Sequence, residues 1–259
     1  MLILLPPSEG KAVPRRGKRL DLDALSFPAL TTSRAQVLHA LVELAHGDPT
    51  EAAKVLGLGG TQADLVLLDR VLRTSPTARA DTIYTGVLYD ALGLVTLSPG
   101  ARRRATSRVA IVSSLFGLVR PSDQIPSYRL SGDVSLPGVG PVAGVWRGTL
   151  DETVRETLGS GLVVDLRSTT YAAFWRPAPD LAPQVATVRV LHEVDGRRQV
   201  VSHFNKATKG RLVRALLEDG RTPRRPAALA AVLGDLGWTV EVGESTKLGT
   251  RLDVVVSEI

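Results

Sequence analysis

The chain has 259 residues, of which 44% are hydrophobic, 4% are aromatic and none is cysteine, and its formal net charge is +6. The lack of cysteine excludes disulfides, thiolate nucleophiles and cysteine-ligated metal centres, and the hydrophobic content excludes a disordered chain. The length suffices for a full core, the low aromatic content argues against base stacking on single strands, and the positive charge favours an anionic partner.

Hydrophobic periodicity and capping patterns predict alternating strands and helices. Asp48-Pro49-Thr50-Glu51 is a good helix start that Gly57 ends, and a second capping pattern begins at Thr61. The segment 114–148 is rich in glycine and proline and predicts largely irregular structure, and Asp195-Gly196 predicts a hairpin. In chain order, the expected elements are strand Leu2–Leu5, helix Ala35–Ala45, helix 48–57, helix Thr61–Thr74, helix Tyr84–Leu92, strand Val109–Ser113, helix Leu150–Leu158, strand Leu162–Leu166, strand Val185–Leu191, strand Gln199–Phe204, helix Lys206–Glu218, helix 226–236, strand Trp238–Val242 and strand Arg251–Val256.

This pattern predicts an α/β fold with a mixed-sheet α+β core. We expect a single compact domain over residues 1–259, with a helical insertion at about 48–75. The apolar start, Met1–Pro7, is too short for a signal peptide and lacks a basic segment before it. Because no apolar run approaches the roughly 20 residues of a membrane span, we expect a cytoplasmic protein with no membrane partner.

A glycine-rich turn joins the two helices of the insertion. The sequence Gly57-Leu58-Gly59-Gly60, followed three residues later by Ala63, fits a helix–hairpin–helix, in which glycines expose backbone amides to phosphate. The alternative interpretation is a helix with a glycine cap that precedes another helix, which is a common arrangement. A second match, Leu136–Gly140, is interpreted as a loop because its neighbours are poor helix formers. The predicted DNA contacts are Lys54, Gly57, Gly59, Gly60, Thr61, Lys206, Lys209 and Arg211.

The last of these contacts lie in a basic segment. The segment from Lys206 to Arg225 contains seven lysines and arginines but only two acidic residues, Glu218 and Asp219. Its net charge is therefore +5. Lys206 and Lys209 are three residues apart at a predicted helix start, so both can face one groove. A solvated basic helix face explains the same pattern.

Several segments occur in a characteristic order along the chain. They are Leu2–Pro7, Tyr84–Gly86, Ser113–Asp123, Tyr128–Leu130, Trp146, Asp165–Ser168 with Tyr171, and Ser202–Gly210. Together these segments resemble the YaaA family of bacterial peroxide-stress proteins. The resemblance implies an unusual α/β fold with a basic cleft, a helix–hairpin–helix, duplex DNA binding, and a role in limiting damage from hydrogen peroxide and free iron. Where the family often has Asn-Leu-Ala-Ser, this chain has Asp165-Leu166-Arg167-Ser168.

The resemblance also implies that polar residues from distant segments share the cleft. Arg120 and Arg129 are suited to clamp an anion, although Asp123 is more simply a turn residue that pairs with Arg120. The tyrosines are most simply half-buried residues with hydrogen-bonded hydroxyls. The cleft candidates are Lys11, Tyr84, Arg120, Asp123, Tyr128, Arg129, Ser168, Tyr171, Lys206 and Lys209.

The leading hypothesis is a DNA-binding protein of the peroxide stress response that contacts duplex or branched DNA with low sequence specificity and needs no cofactor or metal. The alternative is an enzyme that acts on a small anionic or nucleotide-like substrate in the same cleft. In that case Lys206 or Lys11 would be the base or amine, and Arg120 and Arg129 would hold the anion. A third hypothesis, direct iron binding, has little support because histidines and carboxylates are not clustered.

Overall fold

The computed structural model describes residues 1–194, 197–199 and 202–257. Its strands are β1 (Leu2–Leu5), β2 (Ala78–Arg79), β3 (Val109–Ser113), β4 (Gly117–Val119), β5 (Gln124–Ile125), β6 (Ser135–Leu136), β7 (Gly140–Pro141), β8 (Val163–Asp165), β9 (Val185–Val194), β10 (Arg197–Gln199), β11 (Thr239–Thr246) and β12 (Gly249–Val256). Its helices are α1 (Thr31–His46), α2 (Pro49–Val55), α3 (Val66–Arg70), α4 (Ala80–Ile83), α5 (Val87–Leu92), α6 (Pro99–Arg108), α7 (Val142–Arg147), α8 (Leu150–Leu158), α9 (Thr169–Ala172), α10 (Ser202–Asp219) and α11 (Pro226–Asp235). Within these ranges, no helix is long and apolar enough to cross a lipid bilayer.

The central sheet is mixed, which confirms the predicted fold class. Its strand order is β11-β12-β9-β8-β1-β3-β4, and β10 pairs with β9 as a side branch. The inner strands β3, β1, β8, β9 and β12 run parallel to one another, whereas β4 and β11 are antiparallel at the two edges. The sheet therefore has a parallel centre with antiparallel borders.

The order of the parallel strands reverses at β1. The chain places β3 on one side of β1, and then adds β8, β9 and β12 in turn on the other side. At such a reversal the connections leave the sheet in opposite directions, and a crevice opens beyond the carboxyl ends of the strands. We call this border, where β1, β3 and β8 end, the carboxyl edge.

The strands around the reversal form the centre of the hydrophobic core. Every residue of β1, β3 and β8 is buried, as expected of parallel strands covered on both faces. The insertion joins the same hydrophobic cluster through Ala52, Leu58 and Val66. The insertion is thus fixed to the core.

Local sequence signals predicted several elements well. Leu2–Leu5 and Val109–Ser113 form strands with the predicted bounds. The Asp48 carboxylate caps α2 by accepting hydrogen bonds from the Thr50 and Glu51 amides at 2.9 and 3.0 Å. The expected Asp195-Gly196 hairpin lies outside the described residues.

Other expectations were wrong where tertiary contacts outweighed local preference. The expected helix Tyr84–Leu92 begins three residues later, at Val87, because Gly86 has φ +94° and is the N-cap of α5. The segment 114–148 is more ordered than expected: β4 pairs with β3, and α7 buries Trp146. Residues 202–204, expected in a strand, begin α10 instead, which packs on β9.

A close helix contact gives a test of the core packing. A Cβ atom at Gly210 in α10 would overlap the Leu88 carbonyl oxygen of α5. We therefore expect Gly210→Ala to lower the free energy of unfolding by about 1–3 kcal/mol. Gly234 in α11 is the matched control, because a Cβ there meets nothing within 4 Å. Gly234→Ala is expected to gain up to about 1 kcal/mol from helix propensity. Urea unfolding of both variants measures the difference, and equal effects would contradict this packing.

Candidate functional site at the carboxyl edge

A buried hydroxyl network lies where β3 ends. The Tyr128 hydroxyl is 2.8 Å from Ser113 Oγ and 3.0 Å from the Tyr84 hydroxyl. The Phe116 amide donates to Ser113 Oγ at 3.0 Å, which fixes that end of the network. Burial raises the pKa of both tyrosines well above 10, so their hydroxyls remain protonated at neutral pH. Both rings are fully buried rather than half-buried.

Lys11 lies on this network. Its Nζ donates to the Ser8 carbonyl at 2.9 Å and lies 4.3 Å from the centroid of the Tyr128 ring. The carbonyl and the ring favour the ammonium form, but burial disfavours any charge. Burial prevails and lowers the pKa of Lys11 to about 8, although the nearby Glu9 carboxylate opposes the shift. A fraction of this amine is therefore neutral at physiological pH.

Asp69 lies next to Lys11 and was missed at the sequence level. This residue of α3 has no exposed surface, and its Oδ1 accepts the Arg129 amide hydrogen at 2.8 Å. Among the described residues, Asp69 Oδ2 has no hydrogen-bond partner. Burial raises the pKa of Asp69 to about 7, against the Arg129 amide bond and the charge of Lys11. Asp69 is three residues from both Val66 and Leu72, on the apolar face of the helix predicted over Thr61–Thr74. This spacing was a sequence signal that Asp69 is buried.

Arg129 completes the group that we call the Lys11 cluster, which consists of Lys11, Asp69, Tyr84, Tyr128 and Arg129. The Arg129 guanidinium pairs with Glu9 Oε2 at 3.0 Å and also donates to the Glu9 carbonyl. Arg129 therefore already has a counterion in Glu9. Tyr171 is buried nearby, where burial and the proximity of Tyr128 raise its pKa.

Arg120 and Asp123 do not join this cluster. Asp123 accepts hydrogen bonds from the Arg120 amide and from Ser26, as expected of a turn residue. The Arg120 guanidinium donates to the Val109 carbonyl at 2.9 Å and lies over the Phe27 ring. Val109 is the first residue of β3, so Arg120 lies about 13 Å from the carboxyl edge at strand spacing. The structure therefore does not bring these two residues to the Lys11 cluster.

A second group of candidates lines a pocket beyond the ends of β1 and β8. This switch-point pocket has a volume of about 450 Å³ and is lined by Pro6, Leu88, Leu166, Arg167, Ser168, Thr169, Val188, Arg189, Asn205, Lys206 and Lys209. Lys206 and Ser168 are exposed there. Lys209, in contrast, turns inward and donates to the Leu166 carbonyl at 3.0 Å, so its charge holds the end of β8.

The sequence departure after β8 has a structural explanation. Asp165 and Arg167 form a buried two-pronged ion pair, with N···O distances of 2.8 and 2.7 Å. Arg167 also donates to the carbonyls of Tyr171 and Trp175. Asp165 and Arg167 stand where the family often has Asn and Ala. Because burying either charge alone is costly, these two residues stabilise the fold only as a pair.

The predicted glycine turn, Gly57–Gly60, is exposed at its tip. Gly57 and Gly60 have φ of +66° and +56°, whereas Gly59 is extended at −121°. A Cβ atom at Gly57, Gly59 or Gly60 would meet nothing within 4 Å. Within the described residues, the Gly57 and Leu58 amides donate to Lys54 and Ala53, and the Gly59 and Gly60 amides have no acceptor.

The second helix of the turn differs from the expected Thr61–Thr74. A 3-10 helix covers Gly60–Leu65, and α3 then ends at Arg70. The Thr61 side chain lies outside the described residues. Lys54 is exposed, 3.9 Å from Glu51, and Arg211 is exposed on α10. The second match, Leu136–Gly140, lies in the turn between β6 and β7.

Comparison with known proteins identifies the family. The family model described as peroxide stress protein YaaA matches residues 1–241. The chain belongs to the YaaA family. Its relatives include UPF0246 proteins from Streptomyces coelicolor, 50% identical over the full length of both chains, and from Corynebacterium efficiens, 41% identical over 95% of this chain and 97% of the relative. A UPF0246 protein of a Ruegeria species is 32% identical over 86% of this chain and 88% of its own length.

The buried carboxylate of this YaaA family member predicts a pH-dependent stability. Asp69 titrates at about 7 when folded and near 3.8 when unfolded, so the folded state binds more protons between these values and stability falls as pH rises through them. We expect Asp69→Asn to raise the free energy of unfolding at pH 8, by at most about 4 kcal/mol, and to have a smaller effect at pH 4. Urea unfolding at both pH values measures this change. The exposed Asp64→Asn is the control, and a loss of stability at pH 8 equal to that at pH 4 would contradict the burial of an ionised Asp69.

Proposed function

We propose that this protein binds duplex or branched DNA through its phosphates, with low sequence specificity, as part of the peroxide stress response of its family. The observation on which the proposal rests is the exposed glycine turn. At its tip, the adjacent Gly59 and Gly60 amides have no acceptor among the described residues, and a Cβ atom at either glycine would meet no described atom within 4 Å. Phosphate oxygens are suitable acceptors for such amides.

The shape of the turn supports phosphate rather than base recognition. Gly57 and Gly60 adopt left-handed backbone, which brings the chain close to a ligand without a Cβ in the way. Hydrogen bonds from backbone amides to phosphate oxygens carry no information about the base sequence. Contacts of this kind therefore fix the position of a duplex without selecting a sequence.

The distribution of positive charge adds a second argument. Lys54 is exposed next to the turn, and Lys206 and Arg211 are exposed on α10. Lys209 is not included in the proposed contacts, because its ammonium is held by the end of β8. With a net charge of +6, long-range attraction to a polyanion accompanies the local contacts.

A second candidate function is binding of a small anionic or nucleotide-like ligand in the switch-point pocket. Its position beyond β1 and β8 favours this candidate, because parallel α/β sheets bind ligands at strand-order reversals. Lys206 supplies an exposed cation there, and Asn205 Oδ1 is buried without a partner among the described residues.

Fluorescence anisotropy on random-sequence duplexes, at 50 and 200 mM salt, tests DNA binding. We expect affinity to fall steeply with salt because bound counterions are released. Gly59→Glu places a negative side chain where phosphate is expected, and its backbone conformation and open surroundings tolerate the change. We expect it to weaken binding by about tenfold or more while the thermal midpoint moves little.

Gly234→Glu is the matched control, because Gly234 is exposed, has equal space around it and lies on α11 away from the turn. It introduces the same charge and is expected to weaken binding much less. Equal losses in both variants would attribute binding to net charge and remove the glycine turn from the contact. No binding at either salt concentration would overturn the proposal.

A further inference from the structure

Phosphate binding by the glycine turn does not require the buried groups of the Lys11 cluster. Lys11 is a half-buried amine in contact with two aromatic rings, and Asp69 holds a carboxylate oxygen without a partner among the described residues. An unpaired buried carboxylate oxygen is costly to a fold. The arrangement is typical of a site prepared for a reacting or bound group.

The cluster is joined to the glycine turn by a short, fixed path. The 3-10 helix Gly60–Leu65 leads directly into α3, whose Asp69 accepts the Arg129 amide beside Lys11. At the usual rise of the two helix types, roughly 18 Å of chain separates Gly60 from Asp69. One turn of a DNA duplex spans about 34 Å, which exceeds this separation.

We propose that Lys11 captures the aldehyde of an abasic deoxyribose as an imine, in DNA held by the glycine turn. The inference rests on the proposed DNA binding. An abasic sugar has no base to unstack, so it leaves the duplex at low cost. Lysine amines that are partly neutral react with such carbonyl groups.

The reaction needs no cofactor and balances without an oxidant. The neutral Lys11 Nζ adds to the C1′ carbonyl carbon, the C=O electron pair moves to oxygen, and one proton passes from nitrogen to that oxygen to give a carbinolamine. The second nitrogen proton then passes to the hydroxyl oxygen as the C–O bond breaks, so that one water leaves and a neutral C=N bond remains. Hydrolysis reverses the process and releases the sugar.

The surroundings of Lys11 distinguish it from an exposed lysine such as Lys206. The charged and titratable groups that face it are Glu9, Asp69 and Arg129, together with the Tyr84 and Tyr128 rings. With a pKa of about 8, the neutral fraction of Lys11 at pH 7 is about 200-fold that of an ordinary lysine. Lys206 is exposed, and Lys209 donates to the end of β8.

Trapping with cyanoborohydride at pH 7 tests the proposal. The probe is a fluorescent duplex with one natural abasic site, and the control duplex carries a tetrahydrofuran analogue that lacks the aldehyde. We expect a covalent band on a denaturing gel with the abasic duplex alone, and peptide mapping of the wild-type adduct that places it on Lys11. Lys11→Arg keeps the charge and should reduce the adduct by about tenfold or more, whereas the exposed Lys247→Arg should leave it unchanged.

Anisotropy on the intact duplex, measured on the same protein samples, separates the two proposals. Normal DNA binding with no adduct, or with adducts spread over exposed lysines, would overturn imine formation and leave DNA binding in place. Absence of binding to any duplex would overturn both. Because mapping uses the wild-type protein, the result does not depend on whether Lys11→Arg folds.

Discussion

The reversal of strand order at β1 is the constraint on which the rest of this structure depends. A parallel sheet buries its strands between layers, so polar groups have room only where the strands end. Ser113, the segment from Asp165 to Ser168, and the chain after Pro6 all reach this border because β3 and β8 flank β1. Both candidate sites, the Lys11 cluster and the switch-point pocket, follow from that arrangement.

A buried acid, Asp69, links the insertion to this edge. Asp69 ends the path from the glycine turn and accepts the amide of Arg129, while its second oxygen has no partner among the described residues. Burial opposes the charge of both Asp69 and Lys11, so their pKa values move toward neutrality from opposite directions. A fold selected for stability alone would place apolar side chains at these positions. Burying the ionisable groups of Asp69 and Lys11 lowers stability, and ligand binding by the cluster would account for that loss.

The sequence predicted those parts of the fold that local chemistry decides. Apolar runs located the buried strands, and Asp48 located the start of α2, because burial and capping act over a few residues. The start of α10 at Ser202 depends on packing between distant segments, which periodicity does not report. The glycine turn was located correctly, although its second helix is shorter than expected.

The candidate site was predicted unevenly for a related reason. The family resemblance indicated Lys11, Tyr84 and Tyr128, which the fold does bring together. It also indicated Arg120, which the antiparallel return of β4 carries to the opposite end of β3. Asp69 belongs to no recognised motif, and an isolated acid in a short helix is ordinarily a surface residue. Its spacing from Val66 and Leu72 was the available sequence signal, and its burial in the structure reveals its importance.

The central claim is that the glycine turn and the Lys11 cluster belong to one DNA-binding unit. The most direct measurement is the pKa of Lys11 from carbon NMR of lysine labelled at Cε, with and without an intact duplex. The account predicts a pKa of about 8 in the free protein and a higher value with DNA, because a nearby polyanion stabilises the ammonium form. An ordinary lysine pKa in the free protein, or one that bound DNA leaves unchanged, would contradict it.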